Sequence, residues 1–131
     1  MATAREDKPK VGLLMGDPSG IGPELAAKVL ADADADDAVQ LVVIGDERIL
    51  QRHLNVLGLR LDLQVCERLS DFDFGQSAIP FLRTPVTAID LDALPIGTAN
   101  EIGGRYTMEA LSLGHSILQR IKRWTPWPMR R

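Results

Sequence analysis

The chain predicts an α/β domain with a mostly parallel sheet. Short apolar runs alternate with amphipathic helical stretches in the order β–α–β–α–β, the pattern of strands joined by crossover helices. The first two runs, Val11–Met15 and Leu41–Ile44, are continuously apolar, as strands buried on both faces are. The first of them opens through a glycine-rich turn into a helix that begins at a proline. That joint belongs at the edge of a parallel sheet.

Each element follows from local chemistry. Pro23 suits a first helical turn, where its missing N–H costs nothing, and Glu24 complements the positive end of the helix dipole. This helix is expected to run to Leu30 or Ala31. The acidic stretch 32–37 then reads as a solvated break. It lacks the glycine and terminal glutamate of a calcium loop. After Leu41–Ile44, Gly45-Asp46 caps a second helix bearing Ile49, Leu50, Leu54 and Leu57 at helical spacing, and Gly58 stops it. His53, among polar Gln51, Arg52 and Asn55, reads as a surface residue. Leu61–Val65 alternates like a half-buried strand, residues 70–76 read as loop, and Ala78–Leu82 as a short strand. From Thr84 to Asn100 the pattern is weak. A last helix is expected from Glu101 or Gly103 to Lys122, with Ile102, Tyr106, Ala110, Leu113, Ile117 and Ile121 as its apolar stripe.

A chain of 131 residues suffices for one ordinary core. No apolar run approaches the roughly 20 residues that span a bilayer. Residues 1–9 are short and polar, which predicts a disordered start without a secretory signal and a cytoplasmic protein. One cysteine, Cys66, excludes an internal disulfide and a cysteine zinc cage; it is expected as a small buried side chain. The net charge of −3 hides an asymmetry. No acid follows Glu109, whereas Arg120, Lys122, Arg123, Arg130 and Arg131 do, together with Trp124 and Trp127. A basic aromatic end suits a nucleic-acid or membrane contact. The tail reads as having a different origin, and neither partner is expected.

Backbone N–H groups freed by glycines at a helix start hold phosphates and carboxylates. The two familiar nucleotide loops nevertheless do not fit Gly16–Glu24. The loop ends Gly-Pro-Glu, not Gly-Lys-Ser/Thr, and Gly20-Ile-Gly22-Pro-Glu-Leu25 lacks the third glycine of a dinucleotide fingerprint. Asp17 and Glu24 also oppose a phosphate between them. On its own the loop reads equally as a tight structural turn or a ligand loop.

Gly16-Asp-Pro-Ser-Gly-Ile-Gly-Pro-Glu24 closely resembles the opening motif of the 4-hydroxythreonine-4-phosphate dehydrogenase family. Val42-Val-Ile-Gly-Asp46 resembles that family's second strand and turn, and residues 97–111 the lead into its long helix. The resemblance spans residues 10–122. It implies the N-terminal part of an isocitrate/isopropylmalate dehydrogenase-like fold, truncated, and a full-length homodimer with its active site in a cleft. It further implies NAD-dependent oxidation of 4-phosphohydroxy-L-threonine in pyridoxal phosphate synthesis, assisted by a divalent metal (zinc, magnesium or cobalt). A related 4-phospho-threonate or erythronate dehydrogenase, or a non-catalytic phosphometabolite-binding module, are the alternatives. Asp17, Ser19, Gly20 and Gly22 are the residues expected at the cofactor cleft. The family's three metal histidines and its Gly-His-Thr-Glu substrate motif have no counterpart here, so this chain alone is expected to lack catalytic and metal residues and to be inactive. Gly114-His115-Ser116 is not that motif, since it lies inside the last helix with Ile117 in place of glutamate; His115 reads as a helix-surface residue.

Residues 123–131 read as an aberrant tail. Two prolines and two tryptophans cannot make the strand, roughly Val-Asp-Ala-Leu-Val-Tyr-Ala-Pro, that follows the long helix in the family. The codons AAG CGG TGG ACG CCT TGG CCT ATG CGC CG(N) encode Lys122 to Arg131. Read from the third base of the first codon, they spell Ala-Val-Asp-Ala-Leu-Ala-Tyr-Ala-Pro. Trp124, Trp127 and Met129 have single codons, which constrains the match. The expectation is a frameshift near Lys122–Arg123, real or from a sequencing error.

Overall fold

The computed structural model describes residues 8–32, 38–84 and 89–120. The expected linker at 33–37, most of the expected disordered start, and the tail at 123–131 lie outside the described residues, as do Ile121 and Lys122. Four strands, β1 (Lys10–Leu14), β2 (Gln40–Gly45), β3 (Leu63–Cys66) and β4 (Ile79–Arg83), form one sheet in the order β1-β2-β4-β3. Every pairing is parallel, with Gly12 opposite Val42, Val43 opposite Phe81 and Val65 opposite Phe81. The elements that pack on the sheet are the helices α1 (Gly22–Ala31), α2 (Glu47–Leu57) and α3 (Glu101–Arg120), with a 3₁₀ turn at Leu69–Asp71.

The pleat sends alternate side chains to opposite faces, and each face has its own cover. On the first face Leu13, Val43, Phe81 and Leu63 meet Ala26 and Ala27 of α1 and Ile49, Leu50 and Leu54 of α2. Phe81, Ile49, Leu50 and Leu54 are almost completely buried, each stabilising the fold by roughly 1.5–3 kcal/mol relative to exposure. On the second face Val42, Ile44 and Leu82 meet Leu69, Phe72 and Phe74 after β3, and Ile117 of α3. This arrangement gives every crossover the same hand, which in such parallel units is as a rule the right. The chain moves outward from β1 through β2 to β3 over the first face and returns from β3 to β4 over the second.

The expected strands and helices occur where the periodicity places them, with ends shifted by one or two residues. Asp46 caps α2 by accepting the Arg48 N–H on its side chain (2.9 Å), and Gly58 ends the helix at φ 66°. Three readings are corrected. His53 is buried, not on the surface: it stands four residues after Ile49 and so on the same face, and its polar neighbours occupy the other. Ile102 is half exposed, because α3 makes its close contacts through small residues. Gly103, Tyr106, Ala110 and Gly114 are the buried positions, and the side chain of Leu14 packs against Gly114. The loop expected at 70–76 is irregular beyond the 3₁₀ turn, as expected, and its Phe72 is buried and seals the second face. Cys66 is a free thiol of intermediate exposure on β3, not fully buried. His115 is exposed, as its place on α3 led one to expect.

Candidate ligand site at the sheet edge

In a parallel sheet all strands end on one edge, and ligands of such sheets bind in the crevices there. The 15–22 turn after β1, Asp46 after β2 and Thr84 after β4 share that edge. The turn is tightly bound to itself. Ser19 N–H donates to Asp17 Oδ1 (2.8 Å) and Gly20 N–H to the Asp17 carbonyl (3.0 Å). It is equally tied to the segment before α3. Asn100 Nδ2 donates to Ser19 Oγ (2.8 Å), and Gly97 N–H donates to the Ser19 carbonyl (2.7 Å). Asn100 also caps α3, its Oδ1 accepting the Gly103 N–H (2.8 Å).

Two glycines are dictated by close approach. A Cβ on Gly22 would overlap the Met15 carbonyl, and one on Gly103 would overlap the Asp17 carboxylate. Pro18, Ser19 and Pro23 are almost wholly buried. Among the four residues expected at the cleft, the structure therefore separates their parts. Ser19 is a buried tie between two loops. Asp17 is an Asx-type brace of its own turn. Gly20 closes that turn, and Gly22 opens α1. With Pro23 lacking a donor, the backbone N–H groups left without helical partners in the first turn of α1 are those of Gly22 and Glu24. The Glu24 side chain turns to Lys28 (2.6 Å), which holds its carboxyl below the usual range.

Sequence reasoning missed three members of this edge. Tyr106 is buried, and its hydroxyl accepts the Asp46 N–H (3.1 Å); burial pushes its phenol up. Asp46 is pushed up by burial, but hydrogen bonds from the Arg48 guanidinium and backbone outweigh this and hold it low. Asn100 had a signal that went unread, an Asn directly before a helix starting at Glu101. The third is His53, against the underside of the turn. It hydrogen-bonds the Pro18 backbone; since proline has no N–H, the ring must donate to the Pro18 carbonyl. Its Nε2 is buried without a partner. Burial lowers its pKa, with the Arg52 charge acting the same way and Glu24 opposing.

Among the described residues, no three His, Cys, Asp or Glu side chains gather to hold a metal ion. No described helix is long and apolar enough to cross a membrane.

No family model matches the chain. Individual proteins do. It is 48% identical over 116 residues to a Rhizobium meliloti protein and 35% identical over 105 residues to one from Pseudomonas aeruginosa. Both carry the name "Putative 4-hydroxythreonine-4-phosphate dehydrogenase 2". These matches cover 86% and 80% of this chain but 33% and 31% of the relatives. A Clostridium botulinum relative, 27% identical over 79% of this chain and 30% of its own length, is named for D-threonate 4-phosphate instead. The crystal structure of a 4-hydroxythreonine-4-phosphate dehydrogenase from Burkholderia phymatum superposes with a TM-score of 0.74 at 28% identity, over 86% of this chain and 33% of that one. In sequence and fold alike, the chain is similar to proteins named 4-hydroxythreonine-4-phosphate dehydrogenase, and it spans about a third of the length of these relatives.

Proposed function

We propose that the chain supplies one part of an NAD-dependent, divalent-metal-dependent dehydrogenase that oxidises 4-phosphohydroxy-L-threonine, and that it is inactive by itself. The observation that carries this reading is the 16–24 turn. The stretch that resembles the family motif is also the one braced at the ligand-binding edge of a parallel sheet. NAD would accept the hydride and the metal would polarise the substrate oxygen. The described residues offer no metal ligand set, so no metal step is derived from them. This chain's own contribution is positional. Asp17, Ser19 and Gly20 hold the turn rigid, and Gly22 presents the start of α1 to the cleft.

The name of the Clostridium relative favours a second reading, in which the substrate is a phosphorylated threonate. The test is NADH formation, with metal, by the chain alone and by the chain co-expressed with the unmatched part of the Rhizobium relative. The expected outcome is no turnover alone, and turnover of 4-phosphohydroxy-L-threonine in preference to D-threonate 4-phosphate when complemented. The reverse preference supports the second reading. Stabilisation of the lone chain by a phosphorylated ligand without turnover, about 2.7 kcal/mol at a hundred times the dissociation constant, identifies a binding module instead.

A further inference from the structure

Two adjacent residues of α2 grip the two segments that meet at the sheet edge. Arg52 donates to the carbonyls of Leu91 (3.0 Å) and Leu94 (3.3 Å), in the segment between β4 and α3. His53 donates to the Pro18 carbonyl in the turn after β1. The two segments also hold each other. Gly97 N–H donates to the Ser19 carbonyl (2.7 Å), at a φ of 79° that suits glycine, and Asn100 Nδ2 donates to Ser19 Oγ (2.8 Å). The links close into a ring. It runs from His53 through residues 18 and 19, across to residues 97 to 94, and back through Arg52 to the same turn of α2. Pro18, Ser19 and Leu94 are almost wholly buried, so water has little access to these bonds.

Of these joints only the imidazole titrates. A guanidinium stays charged at any ordinary pH, and the other links are amides and a hydroxyl. The ring of His53 fits its place as the neutral form. Its Nε2 is buried without a partner, so Nδ1 carries the proton given to Pro18. A second proton would turn Nε2 into a donor with no acceptor. Among the described residues, the charges acting on the ring are Arg52 of its own helix and Glu24 of α1. Arg52 opposes a second proton; Glu24 favours one but is already paired with Lys28 (2.6 Å). In the turn itself, the Asp17 carboxylate is engaged by the Ser19 N–H.

We propose that His53 is a proton-operated latch. Neutral, it holds the turn after β1 and the 89–100 segment closed on α2; protonated, it leaves Pro18 and lets the two open together while sheet and helices stay formed. The sense follows from burial, which lowers the pKa of the closed form. The latch is therefore shut above about pH 6.5 and gives way as pH falls below it. It does not rest on the proposed function: the sheet edge is rigid near neutral pH and loose in acid whatever binds there.

The test follows amide hydrogen exchange of the full chain between about pH 7.5 and about pH 5.5, as protection factors corrected for the intrinsic pH dependence of exchange. The Ser19, Gly20 and Gly97 amides should lose protection by up to about tenfold for each pH unit. They should exchange faster than the β2 amides and without response to low urea, the mark of a local opening. His53→Gln keeps a donor for Pro18 but not the titration, so the loss should vanish. Imidazole nitrogen shifts give a second reading, in a His115→Gln chain whose one remaining histidine is His53. They should show the Nδ1–H tautomer near neutral pH, and protonation over the same pH range as the amide loss. Flat protection at the three amides overturns the proposal, as does exchange that shares the rate and urea dependence of β2, or a loss that His53→Gln retains. Protonation of His53 outside the range of the amide loss overturns it too, even where His53→Gln fails to fold.

Discussion

At the scale of single residues, His53 and the two crowded glycines show how the turn is held. His53 is buried beneath the turn with one nitrogen on the Pro18 carbonyl and the other unpartnered, and burial depresses its pKa. The sign follows directly. Above about pH 6.5 the ring is neutral in both the folded and the unfolded chain. As pH falls below that value the unfolded chain takes up the proton first, so stability declines until the folded histidine also titrates. Denaturant unfolding at about pH 7.5 and about pH 5.5 should show this loss, and His53→Gln should remove it. A wild-type stability that is flat over this window contradicts the assignment. The glycines make a second test. Gly22→Ala sets a methyl against a main-chain carbonyl and should cost about 1–3 kcal/mol or more. Gly103→Ala should cost less, since Asp17 can swing away by giving up the Ser19 N–H. Gly104→Ala, facing open space one residue on, should stabilise α3 by about 0.5–1 kcal/mol. Thermal melts of the three variants should keep that order.

At the scale of elements, the strands and helices were legible because their apolar periods are strong and their ends are punctuated. Asp46 and Gly58 bound α2 in the sequence as they do in the fold. His53 was misread because its immediate neighbours are polar, although its spacing from Ile49 and Leu57 placed it on the buried face. α3 was misread for a different reason. A hydrophobic stripe scores large residues, whereas this helix meets the Asp17 turn through Gly103 and the sheet through Gly114, and leaves Ile102 and Met108 exposed. The link from α3 to the β2–α2 junction, Tyr106 to Asp46, had no sequence signal, since it joins residues 60 apart. Tyr106→Phe should lower stability by about 1 kcal/mol by orphaning the Asp46 N–H. Asp46→Ala should cost a similar amount through the lost cap of α2. Urea unfolding measures both; a neutral Tyr106→Phe would mean that water replaces the hydroxyl.

At the scale of the molecule, the alternation of periods predicted a parallel α/β sheet, and the sheet has that form. The order β1-β2-β4-β3 was not readable, because periodicity says which residues are buried and not which strands are neighbours. The ligand edge was legible in part. The motif from Gly16 to Glu24 located it, but the hydrogen bonds from Asn100, Gly97 and the ring of His53 depend on distant segments. The chain spans about a third of the length of its relatives, and among the described residues β1 has a strand neighbour on one side alone. We propose that residues 10–122 are one part of a dehydrogenase fold whose next strand follows α3. Reading the DNA from the Lys122 codon onward tests it most directly. The expected bases, shifted to begin at the third position of that codon, encode Ala-Val-Asp-Ala-Leu-Ala-Tyr-Ala-Pro and continue as dehydrogenase sequence. Codons incompatible with that strand, followed by unrelated sequence, would contradict it.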